Sequence, residues 1–249
     1  MLIVLPPTRY WKWLVPSPEK FQLKIAGLNN RREIFAGVDE VGRGPLAGDV
    51  VAAAVILAPD SDIKGLNDSK KLSARKREFL AAQIKQHCVA YAIAKASVEE
   101  IDRLNILRAS LLAMHRAVKA LREQPEFVFV DGKFCPDWDY ASMAIIKGDA
   151  KVEAIAAASI IAKVSRDNEM QAMDQKYPGY GFAKHKGYPT SAHFMALKEM
   201  GPCSIHRKSF KPVADSINLH PGSKTTHNGE YNSVPDSAVS GTGVFGTNQ

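Results

Sequence analysis

The chain has 249 residues, of which 45% are hydrophobic and 24% charged, with a formal net charge of +7. Those values fit an ordinary globular protein with one large or two small domains. Three cysteines, Cys88, Cys135 and Cys203, stand far apart with no Cys-x-x-Cys. They argue against a disulfide framework or a zinc site and for a reducing compartment. No apolar run reaches the ~18 residues of a membrane-spanning helix.

The charge is unevenly spread. Residues 1–32 carry six Lys/Arg against Glu19, and residues 182–212 carry six against Glu199, which leaves the remainder at −3. Positive arms around an acidic centre suit a nucleic-acid enzyme that holds metal ions. Solvated surface charge is the competing reading.

In chain order, Met1-Leu2-Ile3-Val4-Leu5 is cut short by Pro6-Pro7, too early for a signal peptide. The basic, acid-poor residues 1–32 leave an organellar transit segment open. They show no clear period and read as a partly ordered extension. Ile34–Val38 and Val50–Leu57 are short apolar runs joined by a glycine-rich turn, which predicts a hairpin. Ser73 caps a predicted helix to His87, and Cys88–Ala94 reads as a third strand. Val98–Asn105 and Ile106–Arg122 read as helices. Phe127–Val130 and Ala144–Ile146 read as short strands. Val152–Met173 is a long helix, rich in alanine and expected to be buried on the sheet. Thr190–Met200 is a final clear helix, stopped by Gly201-Pro202. Residues 219–249 are rich in Gly, Ser, Thr and Asn and read as a disordered tail. The catalytic unit is therefore expected over 33–218. Its class is α/β, a mixed central sheet flanked by helices with a helical C-terminal part.

Asp39, Asp131 and Asp149 each lie at the end of a short apolar run, and ligands gather at strand ends in open α/β sheets. Glu40 adjoins Asp39. Neighbours on a strand point to opposite faces, so the two acids share a site only if the strand ends or bulges there and both faces feed one cleft. Four acids in one cleft repel one another unless cations are present. Two divalent ions about 4 Å apart would resolve that and serve phosphodiester chemistry. Magnesium suits such oxygen ligands. The competing reading makes the acids turn formers, as in Asp131-Gly132. Gly42 and Gly44 admit a close backbone approach, and Arg43 between them offers a fork for phosphate.

Lys70 and Lys71 precede the first helix, where phosphate contact and a solvated helix start are equally supported. Ser159 and Lys163 stand one helical turn apart, a spacing better explained by helix packing than by a nucleophile. His185-Lys186-Gly187-Tyr188 combines a base, a cation and an aromatic ring. Tyr188 either stacks on a sugar or base or serves packing. His206-Arg207-Lys208 is a basic cluster suited to phosphate. His185, His193 and His206 are too dispersed for a recognisable metal motif.

Six segments together resemble bacterial ribonuclease HII. They are Asp-Glu-Val-Gly-Arg-Gly-Pro-Leu-Ala-Gly (39–48), Asn-Asp-Ser-Lys-Lys-Leu (67–72), Val-Asp-Gly (130–132), Lys-Gly-Asp (147–149), Ala-Ala-Ala-Ser-Ile-Ile-Ala-Lys-Val-x-Arg-Asp (156–167) and His-Lys-Gly-Tyr (185–188). They occur in order across residues 33–212. The resemblance implies a ribonuclease H-like fold and an endonuclease that cleaves the RNA strand of RNA–DNA hybrids. It also implies incision 5′ of single ribonucleotides in duplex DNA, with Mg2+ or Mn2+ held by Asp39, Glu40, Asp131 and Asp149. By the same resemblance, Gly42, Arg43 and Gly44 would read the ribose 2′-hydroxyl. Tyr188 would stack on the sugar of the next deoxynucleotide. Lys70, Lys71, Lys186 and Arg207 are further expected substrate contacts. We expect a cytoplasmic monomer. Ribonuclease HIII is the nearest rival, although residues 1–32 look too short for its N-terminal domain. A non-catalytic hybrid binder is the other.

Overall fold

The computed structural model describes residues 34–66 and 69–219, with the side chain of Lys71 left aside. The extension read over 1–32 and nearly all of the tail, 220–249, lie outside the described residues.

Five strands form one mixed sheet in the order β3-β2-β1-β4-β5. Strand β1 (Phe35–Val41) pairs antiparallel with β2 (Val50–Leu57), which pairs antiparallel with β3 (Cys88–Ala96). This is the predicted hairpin, with β1 running three residues beyond Val38, the end of its apolar run. Strand β4 (Phe127–Asp131) lies parallel to β1, and β5 (Ser142–Ile145) lies parallel to β4. Strand β1 is thus central in the sheet, with Gly37 and Val38 paired on both sides. Near-continuous burial explains why β2 reads as an unbroken apolar run rather than an alternating one.

Helices cover both faces. On one, α2 (Val98–Leu104) and α3 (Ile106–Lys119) supply Ile101, Ala113, Met114 and Val118 to the core. Ser97 and Glu100 form a reciprocal capping box that starts α2. On the other face, α1 (Ala74–His87) and α4 (Glu153–Lys176) pack Leu80, Ile84, Ile160 and Ile161 against Ala53 and Val55. Helix α4 sits unusually low on β1. A Cβ on Gly37 would collide with the backbone of Ala154 and Ile155. The bare Cα of Gly37 and the alanines of α4 therefore explain each other: small residues on both sides let two backbones touch.

The described residues end in three short helices, α5 (Phe182–His185), α6 (Ser191–Met200) and α7 (Lys211–Leu219). Helices α5 and α7 lack a clear sequence period, and only α6 is legible beforehand. Helices α5 and α6 pack on the loop after β1 through Phe182 and Ala196 beside Ala47, and α7 packs through Val213 on Leu46 and Leu197.

Candidate active site

Strand β1 continues straight through Asp39 and Glu40. Its register with β2 is unbroken from Gly37 to Val41, so no bulge reorients either acid. Pairing of β1 with β4 stops at Val38 and Val130, and Asp39 and Asp131 are the next residues on the two parallel strands. The two carboxylates therefore leave the sheet side by side, where backbone pairing has ended. The strand end or bulge expected at Asp39 and Glu40 is absent, and both acids nevertheless sense the charge of Asp131.

The environment resists ionisation. Burial, then Glu40 and Asp131, push the Asp39 carboxyl well above the usual range, while a hydrogen bond from Ser159 pulls it back. Burial also raises Glu40 to about 7, against the pull of Arg43. Arg43 Nη1 donates to Glu40 Oε1 at 3.3 Å. Asp131 is oriented by a backbone donor, since the Gly148 N–H reaches Asp131 Oδ1 at 2.7 Å. That bond starts the 3-10 turn Gly148–Ala150 and sets Asp149 beside the strand ends. Lys147 takes a left-handed conformation, φ 56°, to enter this turn. All four expected acids thus belong to one end of the sheet. Among the described residues, no three His, Cys, Asp or Glu side chains are gathered tightly enough to form a cage as they stand.

Ser159, dismissed from sequence as helix packing, has a more specific place. It is buried, donates to Asp39, and pairs with Ser69 Oγ at 2.9 Å. Ser69 opens the 3-10 turn Ser69–Lys71, and Arg77 of α1 braces that turn by donating to the Ser69 and Leu72 carbonyls at 3.1 and 2.6 Å. The turn that carries exposed Lys70 is therefore tied to the acidic centre through two hydroxyls.

The loop after β1 forms a second unit. Gly42 has φ +97°, and a side chain there would strike Arg166. Arg43 and Gly44 are exposed. Gly44 faces Tyr188: a Cβ on Gly44 would lie 3.5 Å from Tyr188 Cε1. Tyr188 is 37% exposed, so the residue is accessible to solvent. Leu46 N–H donates to the Gly187 carbonyl at 2.7 Å, which joins the two loops by backbone as well. Lys186 is half-buried, with φ 52°.

Arg207 departs from expectation. It is fully buried, and its guanidinium donates to the carbonyls of Gly42, Arg43, Pro45 and Gly48 at 2.6–3.0 Å. A fork so occupied offers nothing to a phosphate. Its place is behind the glycine turn, where it holds carbonyls inward. Sequence reasoning saw its charge and missed its depth.

Three dispersed histidines also come together beneath Tyr188. Cys203 N–H donates to His206 Nδ1, so the His206 proton sits on Nε2 and points to His193 Nε2 at 3.0 Å. His193 then carries its proton on Nδ1 and gives it to the Tyr188 carbonyl at 3.0 Å. His185 stacks on His193 with ring centroids 4.5 Å apart. Nothing local in the sequence announces this relay.

Comparison with known proteins places this geometry. The family model described as Ribonuclease HII matches residues 36–213. The chain belongs to the ribonuclease HII family. Ribonuclease HII of Vibrio parahaemolyticus serotype O3:K6 is 57% identical over 187 residues, covering 75% of this chain and 89% of that protein. Ribonuclease HII of Nitrosococcus oceani is 61% identical over 178 residues, covering 72% and 89%. Among solved structures, the ribonuclease H2 from Pyrococcus horikoshii OT3 superposes with a TM-score of 0.64 at 29% identity, covering 76% of this chain and 99% of that one. The mixed sheet with flanking helices is the ribonuclease HII fold. The protein is a ribonuclease H endonuclease, a hydrolase acting on RNA–DNA hybrids.

Proposed function

We propose that this ribonuclease HII is a divalent-metal-dependent endonuclease that also incises duplex DNA 5′ of a single embedded ribonucleotide, leaving 3′-hydroxyl and 5′-phosphate ends. The observation that carries the reading is the contact between two units: buried acids at the strand ends, and a glycine turn that touches a partly exposed tyrosine.

The acids fit a hard cation. Every donor is an oxygen, and the raised proton affinities of Asp39 and Glu40 show negative charge in want of compensation. Magnesium and manganese accept one or two carboxylates and fill the remaining positions with water, so a preformed cage is not required. Asp39, Glu40, Asp131 and Asp149 would hold the ions. Bound Mg2+ or Mn2+ would supply Lewis-acid stabilisation of the phosphate and a more acidic water. Ser159 and the Gly148 amide orient Asp39 and Asp131 for that purpose.

The glycine turn and Tyr188 supply selectivity. Arg207 draws the turn's carbonyls inward and leaves exposed Gly44 and Arg43 to meet the ribose 2′-hydroxyl. A site built to hydrogen-bond a hydroxyl rejects the analogue that lacks it. Exposed Tyr188 stacks on the next deoxyribose. Lys70, Lys71 and Lys186 contact the backbone phosphates. Water attacks phosphorus and the 3′-oxygen of the preceding nucleotide departs.

We further propose that the catalytic unit spans 33–218 and works as a cytoplasmic monomer. The free thiols Cys88, Cys135 and Cys203 support a reducing compartment. The test is cleavage of a labelled duplex carrying one ribonucleotide, comparing Mg2+, Mn2+ and chelator. Cleavage in chelator, or none with either metal, overturns the reading.

A further inference from the structure

Arg166, next to last in the segment 156–167, has a side chain turned into the protein. Arg166 is 1% exposed. Each of its three guanidinium nitrogens donates to a different backbone carbonyl: Nε to Asp49 at 3.2 Å, Nη2 to Ala47 at 3.1 Å and Nη1 to Lys186 at 3.0 Å. Asp49 and Ala47 lie on the return leg of the glycine turn. Lys186 lies two residues before Tyr188. The Nε and Cδ of Arg166 also lie where a Cβ on Gly42 would fall, so no side chain fits at Gly42.

Arg207 serves differently. All of its guanidinium hydrogen bonds go to carbonyls of the loop 42–48. Arg166 reaches both loops with one rigid planar group. A guanidinium holds its five donors in a fixed fork, so three carbonyls bound to it cannot drift apart independently. Lys186 adopts φ 52°, a conformation a non-glycine residue keeps only when its surroundings hold it there.

We infer that Arg166 is a positioning residue for junction recognition: it sets the gap between the glycine turn and Tyr188, and with it the preference for a ribonucleotide followed by a deoxynucleotide. The inference rests on the reading that Tyr188 stacks at that junction. A long hybrid needs the turn and offers no deoxynucleotide in the cleaved strand, so it depends less on the gap. A purely structural arginine would lower both reactions alike.

The experiment compares kcat/KM on a duplex with one embedded ribonucleotide and on a long RNA–DNA hybrid, for wild type, Arg166→Lys, Tyr188→Ala and the double variant. Arg166→Lys keeps the charge and loses the fork. It should lower the single-ribonucleotide to hybrid ratio by about fivefold or more, within the range set by loss of one stacking contact. In the Tyr188→Ala background it should lower the ratio little further, because both changes remove one device. Far-UV circular dichroism on the same preparations establishes the folded fraction. If Arg166→Lys does not fold, Arg166→Gln, which leaves no buried charge, takes its place.

Equal losses on the two substrates overturn the inference, as does an additive double variant. An unchanged ratio in Tyr188→Ala overturns the stacking reading itself, and is told apart because Arg166 is not involved.

Discussion

His193 and His206 face one another Nε2 to Nε2 at 3.0 Å, with both rings fully buried. One proton serves the pair, so a second would force two N–H groups together. Burial and the neighbouring His193 hold His206 down to about 3, and burial lowers His193 as well. The unfolded chain takes up protons near the ordinary value of 6.5, and the folded one resists. Stability from this pair is complete above that value and is lost as pH falls from 6.5 towards 3. His206→Gln keeps a donor near the Nε2 position and removes the titration. Thermal melts should show the variant less stable than wild type at pH 7.5, with the gap narrowing towards pH 5. A gap independent of pH would place the proton elsewhere.

The acids predict the opposite slope. A carboxyl raised from 4.5 to about 7, as at Glu40, makes the folded state bind more protons across that window. Stability therefore falls as pH rises from 4.5 to 7 and stays reduced above it. In chelator at pH 8, Asp39→Asn should melt above wild type by about 2–4 °C, the shift expected from roughly 1 kcal/mol in a chain of this size. At pH 4.5 the difference should close. Mg2+ or Mn2+ should raise the melting temperature of wild type at pH 8 and leave the variant nearly unmoved.

Asp39→Asn and Asp131→Asn should each abolish cleavage while substrate binding survives, since basic surface supplies most nucleic-acid affinity. Gel-shift and turnover measurements on one preparation separate the two. Near-normal turnover in either variant with Mg2+ would remove that residue from the site.

Arg207→Ala strips the donor from the carbonyls of buried Gly42, Pro45 and Gly48, each costing about 1–3 kcal/mol when left unsatisfied. Denaturant titration should show a loss above about 3 kcal/mol. Lys208→Ala beside it should stay within about 0.5 kcal/mol. Had Arg207 been a phosphate ligand, its removal would lower the salt dependence of binding by about one ion and spare stability.

Tyr188→Ala should weaken incision at a single ribonucleotide about 5- to 100-fold more than cleavage of a long hybrid. Steady-state kinetics on the two substrates decide it. Matching losses would return Tyr188 to a packing role.

The sequence made the acids legible because they close short apolar strands, a pattern set by local burial and visible within a few residues. Helices α1 to α4 and α6 were legible for the same reason, through caps and period. Arg166 and Arg207 were not. Their partners lie 20 to 119 and 159 to 165 residues away, and all are backbone carbonyls, which carry no side-chain signature. Basic residues bound to distant backbone look, in one dimension, like basic residues in water. The histidine relay was hidden in the same way: its geometry depends on where α5, α6 and the 203–207 loop meet.

Helix α4 gives the molecule a ruler. Ser159 touches Asp39, and Arg166, seven residues on, touches the glycine turn and the loop before Tyr188. At 1.5 Å and about 100° per residue, that is roughly 10 Å along one stripe of the helix, two turns with almost no rotation. Many substitutions between them would preserve that measure. A single residue inserted between Val164 and Ser165 would not: it would swing Arg166 by about 100° and lengthen the rule by ~1.5 Å. The scissile phosphate and the recognised sugar would then be gauged by two scales that no longer agree.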